Sequence, residues 1–155
     1  MKVRIVAVGR LRPGAEAELI AEYTTRFDRT GRGLGLGPLD IREVEARKSD
    51  PATEAPLIEK ARQGTDILVT LDERGKTLSS PDFAQRLADW RDQGRREICF
   101  IIGGASGLTP ALRAEADLSL SFGKLVWPHM LARVMLCEQL YRAASILAGG
   151  PYHRE

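Results

Sequence analysis

One stretch decides the fold: Ser119-Leu120-Ser121-Phe122-Gly123-Lys124-Leu125-Val126-Trp127-Pro128-His129-Met130-Leu131-Ala132-Arg133. Its pattern predicts a short apolar strand, a glycine-containing loop and a Trp-Pro-His step into a long helix that runs toward Ala148. A loop of this composition, placed between a buried strand and a buried helix, exposes backbone N–H and C=O groups in a concave and mostly apolar place. We therefore expect a small-molecule pocket at this loop.

The length and composition are those of one folded domain. The chain has 155 residues, of which 43% are hydrophobic and 28% are charged, and this suffices for a buried core in a single domain over residues 1–155. The formal net charge is only +2. A protein-wide basic field therefore does not argue for nucleic-acid binding, and such an argument must rest on local clusters.

Several classes of protein are disfavoured by the composition. Residues 1–5 lack the long apolar segment of a signal peptide, and nothing approaches a membrane span, so we expect a cytoplasmic protein with no membrane partner. Cys99 and Cys137 lie far apart in apolar runs, which favours buried free thiols over a disulfide. With two histidines and no ligand-like spacing, we expect no metal.

Apolar runs alternate with helical patterns along the chain. Strands are predicted at residues 3–8, 39–44, 66–71, 97–102 and 117–121, with a turn at 72–75. Helices are predicted to open near Pro13-Gly14, Thr53, Ser80-Pro81, Thr109-Pro110 and His129. Strands of unbroken apolar residues that alternate with helices indicate an α/β fold, with a mainly parallel sheet flanked by helices.

The Gly/Arg-rich segment Thr30–Gly37 has no assigned role. Its glycines do not match the dinucleotide-binding motif, no strand leads directly into it and no helix directly follows it. A flexible basic connector is favoured over a phosphate-binding loop, and both interpretations stay open.

The last predicted helix is apolar on nearly all sides. A helix of this kind must be covered on both sides, and in so small a domain a second protomer is the expected cover. We therefore expect a homodimer with this helix partly in the interface. The apolar positions are Met130, Leu131, Val134, Met135, Leu136, Leu140, Ala143, Ala144, Ile146 and Leu147.

Two known motifs are present only in incomplete form. Gly75-Lys76-Thr77 resembles the end of a P-loop, but Thr70 stands where the first glycine is needed. Residues 104–108 approach the G-x-S-x-G motif of hydrolases, but Leu108 replaces the second glycine. A hydrolase that uses Ser106 and His129 is therefore a weak alternative.

Three predicted strands end in loops that could meet at one place. In an open α/β sheet, ligands bind outside the carboxyl ends of the strands, and these ends are Leu71, Gly103-Gly104 and the loop 122–127. Glycines let the backbone approach a ligand closely, and the apolar side chains offer walls for a flat ring. From the pattern alone, ordinary βα loops with turn glycines stay open as an alternative.

An ordered set of short segments resembles a known family. The segments are Val69–Lys76, Ile101–Leu108, Leu120–Lys124, Pro128-His129 with Arg133-Val134, and the tail Pro151–Glu155. Each segment is weak evidence alone, but together they resemble the small SPOUT-class methyltransferases that modify N3 of a pseudouridine in large-subunit ribosomal RNA. The resemblance covers essentially the whole chain, although residues 30–37 match no family motif.

This resemblance implies a fold and a cofactor. Similar proteins have a C-terminal deep trefoil knot, an exception to the rule that chains do not thread loops. They dimerise and bind S-adenosylmethionine within the knot. By position, the resemblance assigns these residues to the cofactor: Leu71, Gly103, Gly104, Phe122, Gly123, Lys124, Leu125, Val126 and Trp127.

The resemblance also implies which residues act on RNA. Arg133 and Arg154 suit phosphate contacts, Tyr152 could stack on a flipped base, and His153 has a pKa range suited to proton transfer. The full catalytic set is His129, Arg142, Tyr152, His153 and Arg154.

Plainer interpretations compete with each of these roles. His129 could orient the last helix, Arg142 could form an interface ion pair, and Tyr152–Glu155 could be a frayed terminus.

A methyltransferase that acts on assembled ribosomes or subunits is the favoured function, because a +2 protein gains little from contacts to naked RNA alone. A noncatalytic ligand- or RNA-binding dimer is the alternative from another class.

Overall fold

The computed structural model describes residues 1–154, so Glu155 of the predicted active-site tail lies outside the described residues. Five strands form one sheet in the order β2-β1-β4-β3-β5, and all four pairings are parallel. The prediction of a mainly parallel sheet is confirmed. The strands are β1 (Lys2–Val8), β2 (Leu39–Val44), β3 (Ile67–Lys76), β4 (Glu97–Ile102) and β5 (Leu118–Leu120).

Within residues 1–154, five α-helices connect or follow these strands. They are α1 (Ala15–Gly31), α2 (Pro51–Ala61), α3 (Ser80–Asp92), α4 (Pro110–Glu115) and α5 (His129–Leu147). Side chains of Asp50, Ser79 and Thr109 cap α2, α3 and α4 by accepting a backbone N–H, and each helix has a proline in its first two positions. These local signals explain why the predicted starts of α2, α3 and α4 lie within two residues of the observed ones.

The sheet is covered on both faces. Along β4, Ile98, Phe100 and Ile102 belong to the larger core, which α1, α3 and α5 cover. The intervening Cys99 and Ile101 belong to a smaller core on the other face, under α2 and α4. Because side chains alternate across a strand, a central strand with two covered faces is an unbroken apolar run.

Strand β3 is longer than the sequence predicts. Residues 72–75 were expected to form a turn, but the strand continues to Lys76, and both Leu71 and Lys76 pair with Leu120 of β5. Residues 72–75 therefore bulge out of the ladder, where residues typical of turns are tolerated without ending the pairing. The prediction of a turn that ends β3 is wrong, and the bulge places three charged residues beside the candidate site.

The connection from α1 to β2 is partly helical. Gly31 is the last residue of α1, and residues 32–34 form a 3₁₀ turn before the chain reaches β2. Leu36 is buried, and the Gly37 N–H donates to the Met1 carbonyl at 2.9 Å. The expected flexible connector at residues 30–37 is therefore helical at its first residues, and the segment packs against the start of β1.

Helix α5 returns from the carboxyl edge of the sheet to pack against α1 and α3. Strand order and pairing agree with the expected α/β class, while the trefoil knot stays a prediction. Among residues 1–154, the structure contains no helix with both the length and the apolar character needed to cross a bilayer.

Candidate functional site

A cavity of about 690 Å³ lies at the carboxyl edge of the sheet. Loops that follow β4 and β5, together with the bulge of β3, form its walls. Parallel strands end at the same edge, which is why segments far apart in sequence meet here. The lining includes eight of the nine predicted cofactor residues: Leu71, Gly103, Gly104, Phe122, Gly123, Leu125, Val126 and Trp127. The ninth, Lys124, is exposed and does not line the cavity.

The loop after β5 presents a large apolar surface to solvent. Leu125 is 72% exposed, Val126 78% and Trp127 41%. Exposing three adjacent apolar side chains to water is unfavourable in free energy unless another molecule or segment covers them. A flat aromatic ligand in the cavity would cover part of this surface.

Buried Ser121 fixes the start of the same loop. Its hydroxyl oxygen lies 2.9 Å from the Gly123 carbonyl oxygen and 3.1 Å from that of Glu73, and it accepts from the Gly123 N–H at 3.0 Å. The hydroxyl thus ties the β5 loop to the β3 bulge. Sequence reasoning missed this role, because a serine between two apolar residues carries no local signal of its distant partner.

The loop after β4 can form only with glycine at its first position. A Cβ atom on Gly103 would lie 2.9 Å from the Gly107 carbonyl carbon and oxygen, and Gly107 has a φ of +78°. The Gly107 N–H donates to the Gly104 carbonyl at 3.0 Å, which closes a tight turn. The wall of the cavity is therefore main chain, whose polar groups a ligand can approach closely.

The bulge of β3 supplies charged groups to the lining. Asp72 pairs with Arg74 at 2.9 Å and lies 3.7 Å from Arg113, while Glu73 is exposed and belongs to no ion pair among residues 1–154. The hydrogen bonds from Arg74 hold the pKa of Asp72 below its ordinary value. The Asp72 carboxylate is therefore already paired with arginine side chains, whereas the Glu73 carboxylate forms no ion pair within the described residues. Both were missed because residues 72–75 were predicted to be an ordinary turn.

His129 lies where the cavity meets the first residues of α5. Its Nε2 atom is 3.4 Å from the position that a Cβ atom on Gly9 would occupy, so the ring also touches the loop after β1. Ser106 lines the same cavity, but no hydrogen bond joins it to His129 in the described part of the chain. The nucleophile-and-base contact that a hydrolase requires is therefore not formed.

The C-terminal tail is bound to the second half of α5. Oε1 of Glu138 accepts from Nε of Arg142 and from the Tyr152 hydroxyl, both at 3.0 Å. The Arg142 guanidinium lies 4.7 Å from the centre of the Tyr152 ring, and its Nη1 is 3.3 Å from Nδ1 of His153. These four side chains, which we call the tail cluster, show that residues 152–153 are not a frayed end, while Arg154 is exposed.

Burial, with hydrogen bonds to Tyr23 and Glu138, raises the pKa of Tyr152 well above its ordinary value. The phenol therefore stays neutral near pH 7 and serves as a hydrogen-bond donor rather than as a base.

The tail cluster and the cavity are separate within one chain. His129 and Arg142 are 13 positions apart on α5, which corresponds to about 20 Å along the helix axis. The predicted catalytic residues thus fall into two groups, with His129 at the cavity and Arg142, Tyr152 and His153 far along the helix.

A second cavity, of about 600 Å³, lies between α1, α3 and α5. It shares Leu120, Phe122 and Gly123 with the first cavity, and its far wall includes Glu138 of the tail cluster. Leu19 of α1 is 43% exposed at its rim. The single chain thus leaves a concave apolar surface between these helices open to solvent.

Arg133 requires a correction, because it was expected to contact RNA. Its side chain is 1% exposed, donates to Oε2 of Glu43 at 2.8 Å and donates to the Gly9 carbonyl at 3.0 Å. A guanidinium whose surface is covered by protein cannot reach a phosphate. Its position supports a structural role, joining α5 to the ends of β1 and β2.

No metal site is formed by the described residues. Within residues 1–154, no three side chains of His, Cys, Asp or Glu are arranged to hold an ion.

Comparisons with known proteins agree on one family. The family model described as "Predicted SPOUT methyltransferase" matches residues 1–153. The chain is 64% identical over 155 residues to a protein of Ruegeria pomeroyi, with 99% of each chain covered, and 63% identical, with the same coverage, to one of Roseobacter denitrificans. Both relatives are named ribosomal RNA large subunit methyltransferase H.

Solved structures agree on the fold. A probable methylase family protein from Haemophilus influenzae matches with a TM-score of 0.57 at 11% identity, covering 99% of this chain and 70% of that one. A probable methyltransferase from Bordetella pertussis matches with a TM-score of 0.52 at 12% identity, covering 92% of this chain and 96% of that one. At these identities the likeness concerns the fold alone.

Proposed function

The chain belongs to the SPOUT methyltransferase family, and from this premise we propose that it transfers a methyl group from S-adenosylmethionine to large-subunit ribosomal RNA. The observation that carries the proposal is the cavity whose walls are the bulge of β3 and the loops after β4 and β5. The target in our proposal is N3 of a pseudouridine in assembled ribosomes or subunits, in the cytoplasm.

The residues of the cavity fit the cofactor. The Gly103–Gly107 turn offers main-chain groups at a place where a Cβ atom on Gly103 would collide, and Leu125, Val126 and Trp127 offer apolar cover. An adenine ring needs this combination of a flat apolar enclosure and a few polar groups at its edge. When bound, the cofactor supplies an electrophilic methyl group on a sulfonium.

The protein's own contribution is positioning and removal of a proton. Holding the two reactants in line can lower the barrier by several kcal/mol, about 7 to 11 in the most favourable cases. N3 of the target base must also lose its proton, and His129 is the histidine that lines the cavity. We assign to His129 either the removal of the N3 proton or the orientation of the target nucleobase. We assign to Tyr152 the donation of a hydrogen bond.

A homodimer would bring the two groups of catalytic residues together. Arg142 of the tail cluster is about 20 Å along α5 from His129 in its own chain, and a second copy could lay its own cluster over this cavity. Exposed Leu19 and Leu131, together with the apolar second cavity, provide the surface that such a partner would cover.

Mixed dimers test this arrangement. His129→Ala and Arg142→Ala chains are each expected to be inactive alone and, after unfolding and refolding together, to regain about a quarter of the wild-type sites, because half of the dimers then hold one intact site. Sedimentation equilibrium checks that each sample is dimeric. Active mixed samples support the shared site, whereas dimeric mixtures without activity contradict it.

Exposed arginines near the cavity are better placed for RNA than Arg133. Arg10 and Arg12 follow β1 in the loop that contacts His129, and neither forms an ion pair within residues 1–154. Together with exposed Arg154, they are our proposed phosphate contacts.

The main experiment measures methyl transfer to ribosomes that lack the modification. Ribosomes from cells without the protein are incubated with it and with S-adenosylmethionine, and the modified nucleotide is mapped by mass spectrometry. A new methyl group on a large-subunit pseudouridine is expected. Binding of the cofactor without transfer to ribosomes, subunits or RNA would favour the noncatalytic alternative, and no binding at millimolar cofactor would overturn the proposal.

A further inference from the structure

Glu54 is a buried carboxylate that the proposed chemistry does not use. It lies in the first turn of α2 and is 3% exposed, yet it belongs to none of the ion pairs among residues 1–154. Removing a carboxylate from water is costly unless hydrogen bonds or a cation compensate. Its surroundings must therefore provide another compensation.

Both carboxylate oxygens of Glu54 face the main chain of Gly104. A Cβ atom on Gly104 would lie 3.0 Å from Oε1 and 3.3 Å from Oε2, and 3.2 Å from Cγ1 of Val8. Burial and the charge of Asp50 raise the pKa of Glu54, and the nearby Gly104 N–H acts in the opposite direction. Glycine at this position leaves room for that approach.

Gly104 belongs to the turn that forms one wall of the cofactor cavity. Gly103, Gly104 and Gly107 all line the cavity, and the turn is closed by the hydrogen bond from the Gly107 N–H to the Gly104 carbonyl. Glu54 itself does not line the cavity. It therefore supports the turn without reaching the space where a ligand would lie.

We propose that Glu54 is a positioning residue, which holds the Gly103–Gly107 turn in the shape that binds the cofactor. The inference rests on the proposed function, because it takes S-adenosylmethionine as the occupant of the cavity. In this proposal the Glu54 carboxylate is the side chain that holds the turn in place. Without the carboxylate the turn is less ordered in the free protein. Cofactor binding must then also order the turn, which lowers the affinity for the cofactor.

Calorimetric titration with S-adenosylmethionine tests the role. Glu54→Ala is expected to weaken cofactor binding about tenfold or more, the order expected for loss of one polar contact to a charged group. Glu54→Gln keeps an oxygen acceptor and is expected to restore most of the affinity. At saturating cofactor, kcat should change much less than the KM for the cofactor.

Glu59→Ala is the matched control on the same helix. Glu59 pairs with Arg62 at the surface and has no contact with the turn, so cofactor affinity should not change. Wild-type affinity in a folded Glu54→Ala protein would overturn the inference, as would equal weakening by Glu59→Ala. Absence of binding by the wild-type protein would instead overturn the proposed function.

A double-mutant cycle keeps the inference testable if Glu54→Ala folds poorly. Gly104→Ala adds a methyl group 3.0 Å from Oε1 of Glu54 and should also weaken cofactor binding. In a Glu54→Met background, which keeps the length of the side chain but removes the carboxylate, the cost of Gly104→Ala should be smaller than in the wild-type protein, because the two positions are in contact. Strictly additive effects on cofactor affinity would contradict the proposal.

Discussion

Arg133 of α5 and Glu43 of β2 form a hydrogen-bonded ion pair of 2.8 Å, although they lie 90 positions apart in the chain. The same guanidinium donates to the Gly9 carbonyl. One buried side chain thus joins the helix that starts at the cavity to the ends of two strands.

Replacing Arg133 with Met should destabilise the protein rather than specifically weaken RNA binding. The change removes one of the donors to the Glu43 carboxylate, which keeps the Leu11 N–H, and the donor to the Gly9 carbonyl. We expect the free energy of unfolding to fall by about 2–3 kcal/mol, since Glu43 is partly solvated. Urea denaturation measures this loss. Arg26→Met is the control, because its pair with Glu22 is exposed and should contribute at most about 1 kcal/mol. Equal losses in the two variants would contradict the prediction.

The contribution of this ion pair should depend on pH. Although burial acts in the opposite direction, hydrogen bonds from Arg133 and from the Leu11 N–H keep the pKa of Glu43 below its ordinary value of 4.5. A depressed pKa gives stability that is present above the ordinary value and lost as pH falls through the folded-state value. The difference in unfolding free energy between wild type and Arg133→Met should therefore shrink below about pH 4.5. A difference that grows on acidification would contradict this.

Gly75→Ala should disrupt the pairing of β3 with β5. A Cβ atom at Gly75 would lie 2.5 Å from the Ser119 carbonyl oxygen and 2.6 Å from its carbon, so two stretches of backbone must separate. We expect a loss of about 3 kcal/mol or more in unfolding free energy. Gly33→Ala is the control, because nothing lies within 4 Å of its added methyl group. Similar melting temperatures for both variants would count against the described bulge.

Both cysteine thiols should be unreactive in the folded protein. Burial raises the pKa of Cys99 and of Cys137 to about 12, so almost no thiolate is present near pH 8. A colorimetric disulfide reagent should modify neither thiol until urea unfolds the chain, and then both. Because the folded-state pKa values are raised, stability should also decline as pH rises from about 9 toward 12. Rapid modification of either thiol in the native protein would contradict the prediction.

Arg10 and Arg12 should contribute to ribosome binding through phosphate contacts. The double change to Ala should raise the KM for ribosomes about tenfold and reduce the salt dependence of binding by about two ions, with cofactor affinity unchanged. Arg95→Ala is the control, because this exposed arginine precedes β4 at the opposite edge of the sheet. Unchanged salt dependence in the double variant would remove these arginines from the interface.

The sequence by itself determined the elements and most of the cavity loops. Residues 97–102, for example, form a nearly continuous apolar run, because both faces of a central parallel strand are covered. Such a run can be recognised from the local sequence alone. The starts of α2, α3 and α4 were predicted to within two residues, because helix signals act within about three residues, although the caps Asp50 and Ser79 were identified only in the structure. The family resemblance, rather than periodicity, supplied the identity of the cofactor and singled out the tail.

Only the tertiary structure decided the relations between distant residues. It showed that residues 72–75 bulge from a continuing strand, because pairing with β5 outweighs their local preference for a turn. It buried Arg133 against Glu43 and Gly9, and it separated His129 from the tail cluster along α5. Burial, charge pairing and distance depend on which segments the sheet brings together, and that arrangement is set by packing of the whole chain rather than by any local stretch.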